Sequence, residues 1–219
     1  MFATNQTSWA NDIQVISEEE QVSHAPHINT ENEPYYPNIR PMWAFEFTGS
    51  LSALGTSPSI PNKGSAKVRA VAFQIDFQPP WIQKLGVLSL GPSLQLYPVS
   101  PYQGITSKAL GSLWSTGGQV KYQAYFFKQQ PIVPVVGYTI DWWNYTLADS
   151  NKGRIIAKGP ILGLMLLLNI LEPESAFEFF LNWGIARNYL VAEYRFLSGS
   201  DSNISFTGGS IFFGLRFEL

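Results

Sequence analysis

Apolar residues recur at every second position over most of the chain beyond residue 41. In residues 42–53, Trp43, Phe45, Phe47, Leu51 and Ala53 alternate with Glu46, Thr48, Ser50 and Ser52. A period of two puts successive side chains on opposite faces of an extended strand. The same pattern predicts a second strand over Ser65–Phe77, with Val71, Phe73, Ile75 and Phe77 on one face. A third covers 85–97, with Leu88, Leu90, Leu94 and Leu96 aligned. A fourth covers 119–128, and a fifth covers 133–147 with Val136, Tyr138, Ile140 and Trp142 aligned. Residues 155–171 are apolar on both faces. Their unbroken run, 161–168, is far short of the ~20 residues of a spanning helix, and Pro160 disfavours a helix interior, so this is read as a sixth strand. A seventh begins near Ala176, where Phe177, Phe179, Leu181 and Trp183 alternate with Glu178, Phe180 and Asn182, and continues through 189–196. The eighth, 204–219, sets Ile211, Phe213, Leu215, Phe217 and Leu219 against Phe212, Gly214, Arg216 and Glu218.

Gly, Pro, Ser and Asn punctuate these strands at 55–64, 79–80, 129–132, 148–153, 172–175 and 198–203. The longest connection, 98–118, is not merely polar: it holds Tyr102, Ile105, Leu110, Leu113 and Trp114, candidates for contacts at a surface. Residues 1–41 differ from the rest. Trp9, Ile13 and Ile16 would share one face of a short helix, and a stretch with Pro26, Pro34, Pro37 and Pro41 follows. This segment is read as an N-terminal arm, either extended or bracing the domain at 42–219 with its helix.

Composition narrows the class. Charged residues are 14% of the 219 and aromatics 15%, with net charge -2; a soluble domain carries ~25% charge. Nothing suggests a nucleic-acid partner. The absence of cysteine excludes disulfides, thiol catalysis and thiolate metal sites, and no cofactor is expected. Eight faces of Phe, Leu, Trp and Ile would overfill a small barrel's interior, while the opposite faces are rich in Gly, Ala, Ser and Thr. The expectation is therefore all-β: an eight-stranded antiparallel transmembrane up-and-down β-barrel with an N-terminal arm. Lipid would meet Phe45, Phe47, Phe73, Ile75, Leu88, Leu90, Ile140, Phe179, Leu181, Phe213, Leu215 and Phe217. Trp43, Trp81, Tyr138, Trp142 and Trp183, near strand ends, would form an interfacial girdle. The lumen would receive Glu46, Asp76, Lys121, Asp141, Glu178 and Arg216, which must pair where bulk water is excluded. They are read as a packed polar plug rather than an ion path. A soluble lipocalin-like ligand-binding barrel has the same period with its faces inverted; Phe45, Phe73, Leu90 and Phe213 would then line a pocket.

The last strand resembles the closing strand of bacterial outer-membrane barrels, whose assembly signal reads polar-x-Gly-x-x-apolar-x-apolar. Gly214, Phe217 and Leu219 fit its last three marks; Phe212 stands where a polar residue is usual, and Leu219 where Phe is commonest. With the strand pattern of 42–219, this resembles the small eight-stranded barrels of the outer-membrane protein A, X and W families. The resemblance implies a Gram-negative outer membrane, with the arm and the C-terminus periplasmic. It also implies contact with outer-membrane lipid and lipopolysaccharide, and with the barrel assembly machinery. Residues 1–30 show no signal peptide, so the chain is read as the mature part of an exported protein.

Some small outer-membrane barrels are lipid A palmitoyltransferases or deacylases that use a serine with a histidine base. Here the two histidines are His24 and His27, both in the arm, so none of those motifs carries over and a non-enzymatic protein is expected. His24 and His27 are read as a solvated linker rather than a metal site. The expected role is structural or one of surface interaction, through extracellular loops and a surface protein partner. The alternative is a channel or binding site for a small hydrophobic molecule or lipid. It rests on small inner residues such as Gly91, Gly163 and Gly214 and on the doubly apolar sixth strand.

Overall fold

The computed structural model describes residues 40–57, 65–83, 86–98, 110–127, 130–147, 152–200 and 205–219. Within them lie β1 (Trp43–Ser57), β2 (Ser65–Phe77), β3 (Val87–Tyr97), β4 (Leu110–Gln123), β5 (Ile132–Leu147), β6 (Lys152–Leu167), β7 (Arg187–Ser200) and β8 (Ser205–Glu218). Each strand pairs antiparallel with the next, and β8 pairs with β1, closing a barrel. Closure gives every described strand a neighbour on both sides, so the sheet has no edge strand. The seam is long: Ala44 opposes Glu218 at one end and Ser57 opposes Ser205 at the other. Beyond it the Leu219 carbonyl accepts from the Met42 amide at 2.8 Å. Of the arm only Arg40 and Pro41 are described; Trp9, Ile13, Ile16, His24 and His27 lie outside the described residues, as do Tyr102 and Ile105 of the 98–118 segment.

Side chains alternate through the wall. On β1, Ala44, Glu46, Thr48, Ser50 and Ser52 are buried, while Trp43, Phe47 and Leu51 are exposed. The apolar face points outward on every strand, so the inverted, lipocalin-like arrangement is overturned. Bulky side chains are exposed around the whole wall, among them Val71, Leu94, Val120, Val136, Leu162, Tyr194 and Phe213. A soluble monomer rarely exposes apolar patches beyond a few hundred Å²; hydrocarbon is the solvent that suits this wall.

Two expected elements differ. Residues 110–118 are not loop but the first half of β4. Its sequence there is Ser- and Gly-rich on both faces, which erases the alternation. Leu110, Leu113 and Trp114 are therefore strand residues: Leu113 is buried inside, and Trp114 is exposed outside. Second, residues 173–183 are not strand. They form a helix, α1 (Pro173–Trp183), and β7 starts only at Arg187. Pro173 occupies the first turn, with Glu174 beside it; both suit a helix N-terminus. Gly184 ends the helix with φ 69°, its amide bonded to the Phe180 carbonyl at 2.9 Å. Phe179, Leu181 and Trp183 thus lie on a helix, not on the barrel wall.

The chain enters and leaves the barrel at the same end, called here the terminal end. Connections 78–86, 124–131 and 168–186 lie there; the strand ends Ser57 and Ser65, Tyr97 and Leu110, Leu147 and Lys152, and Ser200 and Ser205 lie at the other, distal end. The connection 168–186 at the terminal end is the longest between any two strands. Each terminal-end connection is fastened by one amide side chain. Gln83 donates to the carbonyls of Pro41 (2.9 Å) and Gln78 (3.2 Å). Gln130 donates to Ala124 (3.0 Å) and Ile132 (2.7 Å) and accepts from the Phe126 amide (2.7 Å). Asn169 donates to Ala186 (3.1 Å) and accepts from the Asn188 amide (2.7 Å), so it ties the end of β6 to the start of β7 across the helical excursion.

Candidate functional site

Among the described residues, buried charge gathers in the lumen. Glu46 on β1 accepts from Lys121 on β4 through both oxygens, each at 3.1 Å. Its Oε2 also accepts from Arg216 Nη1 on β8 at 3.0 Å. Lys121 pairs in addition with Glu193 on β7. Glu193 Oε2 takes two donors from Arg195, Nε at 3.0 Å and Nη2 at 2.7 Å. Arg216 Nη1 reaches Asp76 on β2 at 2.6 Å, and its Nε reaches Glu218 at 3.3 Å. Neutral amides complete the set: Gln74 donates to Asp76 (2.8 Å) and Gln78 to Glu218 (2.8 Å). Asp141 stands apart, held by Thr139 (3.1 Å), Gln95 (3.3 Å) and Ser93 (3.4 Å) rather than by a cation's hydrogen bond.

Coulomb energy explains the clustering. Several kcal/mol of desolvation per buried ion are offset only by close opposite charges and full hydrogen bonding. Alternating signs around Glu46, Lys121, Glu193, Arg195, Arg216 and Asp76 supply the close opposite charges and most of the hydrogen bonds, Arg195 Nη1 being left without a partner. Arg195 also lies over the Phe212 ring, 4.1 Å from its centroid.

Apolar layers flank this network. Towards the distal end, Ala70, Tyr97, Leu113, Trp143, Tyr145, Ile155, Ala157 and Leu197 pack together, with the rings of Tyr97 and Trp143 5.1 Å apart. Towards the terminal end, Val133, Val135, Met165, Leu167, Tyr189 and Val191 form a second cluster against Tyr125. The Tyr125 hydroxyl donates to Tyr189 at 2.7 Å. Trp143, Arg195, Arg216, Lys121 and Phe212 are each under 2% exposed. A bore filled with water would expose them. Doubly apolar β6 is explained here: Ile155, Met165 and Leu167 feed these clusters and Ile161 is buried inside, while Ile156, Leu162 and Leu164 face out.

Of the six lumen residues expected from sequence, Glu46, Asp76, Lys121, Asp141 and Arg216 are buried inside. Glu178 is not: it is exposed on α1 at the terminal end, because the segment that carries it is helical. Glu193, Arg195 and Glu218 were missed. Glu218 was legible, since it shares the face of Arg216. Glu193 and Arg195 were hidden by phase. Counting in twos from Phe179 puts Arg195 outside, and only the intervening helix resets the count.

Phe45, Phe47, Phe73, Ile75, Leu88, Leu90, Ile140, Phe213, Leu215 and Phe217 sit at outward positions of their strands. Phe179 and Leu181 are exposed, but on α1. Trp43, Trp81 and Trp183 ring the terminal end, whereas Tyr138 and Trp142 are outward residues within β5. Gly214 faces inward, and a Cβ built there would lie 1.9 Å from the Phe47 carbonyl oxygen; Phe217 and Leu219 are half-buried at the seam. Among the described residues no cluster of three or more His, Asp or Glu could hold a metal.

A closed, antiparallel eight-stranded barrel with an apolar outer wall and a polar, ion-paired lumen is a small β-barrel of the outer-membrane type. The crystal structure of Neisserial surface protein A (NspA) is similar over 80% of this chain and 99% of that chain, with a TM-score of 0.51 at 17% identity. Ail, the attachment invasion locus protein of Yersinia pestis, is similar over 83% of this chain and 100% of that chain, with a TM-score of 0.44 at 6% identity. No family model and no curated protein matches the sequence.

Proposed function

We propose that this is a non-enzymatic outer-membrane protein of a Gram-negative bacterium that works through its distal surface. The filled lumen carries the reading. A barrel whose interior is occupied by an ion-paired layer and two apolar layers offers neither a conduit nor a cleft. What remains for partners is the loop-bearing end, where segment 98–109 contributes Tyr102 and Ile105. The same filling counts against the conduit for a small hydrophobic molecule, because Gly91, Gly163 and Gly214 lie against neighbouring chain; at Gly91 a Cβ would meet the Ile75 carbonyl at 1.7 Å.

Outward charge supports a distal end at the cell surface and termini in the periplasm. Arg69, Lys152, Arg154 and Lys158 are exposed on the outer wall towards the distal end. Glu172, Glu174 and Glu178 are exposed at the terminal end. Cations at the distal boundary suit a leaflet of phosphate-bearing lipopolysaccharide. Assembly by the barrel assembly machinery follows from the same placement.

Replacing residues 99–108 by a short Gly-Ser linker tests the reading. The protein should still fractionate with the outer membrane and keep its heat-dependent gel mobility. Adherence of cells displaying it, to host cells or to each other, should be lost. Unchanged adherence would remove the loop from the account.

A further inference from the structure

The terminal end exposes large apolar side chains on each of its connections. Trp81 is 69% exposed in 78–86, Phe126 75% in 124–131, and Leu181 and Trp183 64% and 71% on α1. Ile82, Phe127, Leu171 and Phe179 accompany them. These are not loose turns. Gln83, Gln130 and Asn169 fasten each connection to the barrel.

The exposed groups adjoin the apolar outer wall. The rings of Trp43 and Phe77, on β1 and β2, lie 5.3 Å apart, and Phe77 and Trp81 lie 6.4 Å apart. The outward column Leu162, Leu164 and Leu166 on β6 leads to Ile170 and Leu171, and then to α1. Val120 and Tyr122 on β4 lead to Phe126 and Phe127. At 3.6 residues per turn, Glu174, Glu178 and Asn182 share one arc of α1. Ala176 is buried on the opposite arc, with Trp183 beside it and Phe179 at its edge, whereas Leu181 lies next to Glu174.

We infer that α1, with Trp81, Phe126 and Phe127, forms an interfacial collar that lies in the headgroup region of the terminal-end leaflet. Phe179 and Trp183 insert, and the acidic arc faces water. A rigid helix with aromatic residues on its apolar arc, joined to a lipid-facing wall, suits a bilayer interface. The acidic arc and the lack of Lys or Arg over residues 168–186 point to a zwitterionic leaflet, such as one of phosphatidylethanolamine. The inference rests on the membrane reading above and adds a second, in-plane contact with lipid.

The chain has no cysteine, so each single-Cys variant accepts one label. F127C, W183C and E178C, with V120C on the outer wall, would carry a fluorophore in vesicles rich in phosphatidylethanolamine. Heat-dependent gel mobility identifies the folded variants. Lipids with a nitroxide near the headgroup should quench the labels at 127 and 183 several-fold more than the label at 178, which aqueous iodide should quench instead. A nitroxide deep in the acyl chain should quench the label at 120. Labels at 127 and 183 open to iodide, or shielded from iodide without lipid quenching as by a second copy or a soluble partner, would overturn the collar. Loss of deep quenching at 120 would overturn the membrane reading itself.

Discussion

Gly214 on β8 sits so close to Phe47 on β1 that a Cβ at residue 214 would lie 1.9 Å from the Phe47 carbonyl oxygen. The obstacle is backbone on the partner strand, not a side chain able to turn away. Glycine at this mark of the closing strand therefore has a packing cause: it lets the seam approach. Gly214→Ala should push the strands apart and cost about 1–3 kcal/mol, the range for overpacking. Gly49→Ala, where nothing lies within 4 Å, should change stability by no more than about 1 kcal/mol. Urea unfolding of both variants in vesicles separates the two; equal losses would leave the seam argument without support.

Arg216 holds Glu46, Asp76 and Glu218 together. Arg216→Met should cost about 3–5 kcal/mol, because it strands buried carboxylates. Glu178→Gln, on the exposed arc of α1, should change stability by less than about 0.5 kcal/mol. A lumen role for Glu178 would reverse that ranking.

Conductance offers an independent reading of the same interior. With Trp143, Lys121, Arg195 and Arg216 all buried, the intact protein in planar bilayers should show no steady channel current. Discrete openings in most insertions would mean that the lumen clusters part in the membrane.

The helical excursion should loosen when either of its fastenings is cut. Asn169→Ala removes the partner of the Asn188 amide and the Ala186 carbonyl, a loss of about 1–3 kcal/mol. Gly184→Ala forces a side chain into the left-handed region at φ 69°, about 1–2 kcal/mol. Both should speed amide exchange across residues 168–186 while leaving β1 and β8 unchanged.

Much of this was legible because a strand with one face in lipid writes its phase in plain alternation. β1, β2, β3, β5 and β8 carry that record, and Glu46, Asp76, Asp141 and Arg216 follow from it. β4 does not: Ser112, Ser115, Thr116, Gly117 and Gly118 give both faces the same character, so its first half reads as loop. α1 misled for the opposite reason. Phe177, Phe179, Leu181 and Trp183 alternate as a strand would, and the helix signals at Pro173 and Gly184 are brief beside them. The pairing of Lys121 with both Glu46 and Glu193 joins three strands across the lumen, and no local pattern records that.

The hydrogen-bonded meeting of Met42 and Leu219 makes the sheet a ring with no intrinsic first strand. Joining those two residues through a few glycines and cutting at 148–151 would move the ends to the other mouth and keep every strand pair. What the native order adds is timing. The seam from Ala44–Glu218 to Ser57–Ser205 joins residues 148 to 174 apart in the chain, the most remote strand pairing among the described residues and the costliest in chain entropy. Without β8, β1 would keep an open edge and the ion-paired lumen would lack one wall, so closure of the barrel and full burial of the charges depend on the same strand pairing.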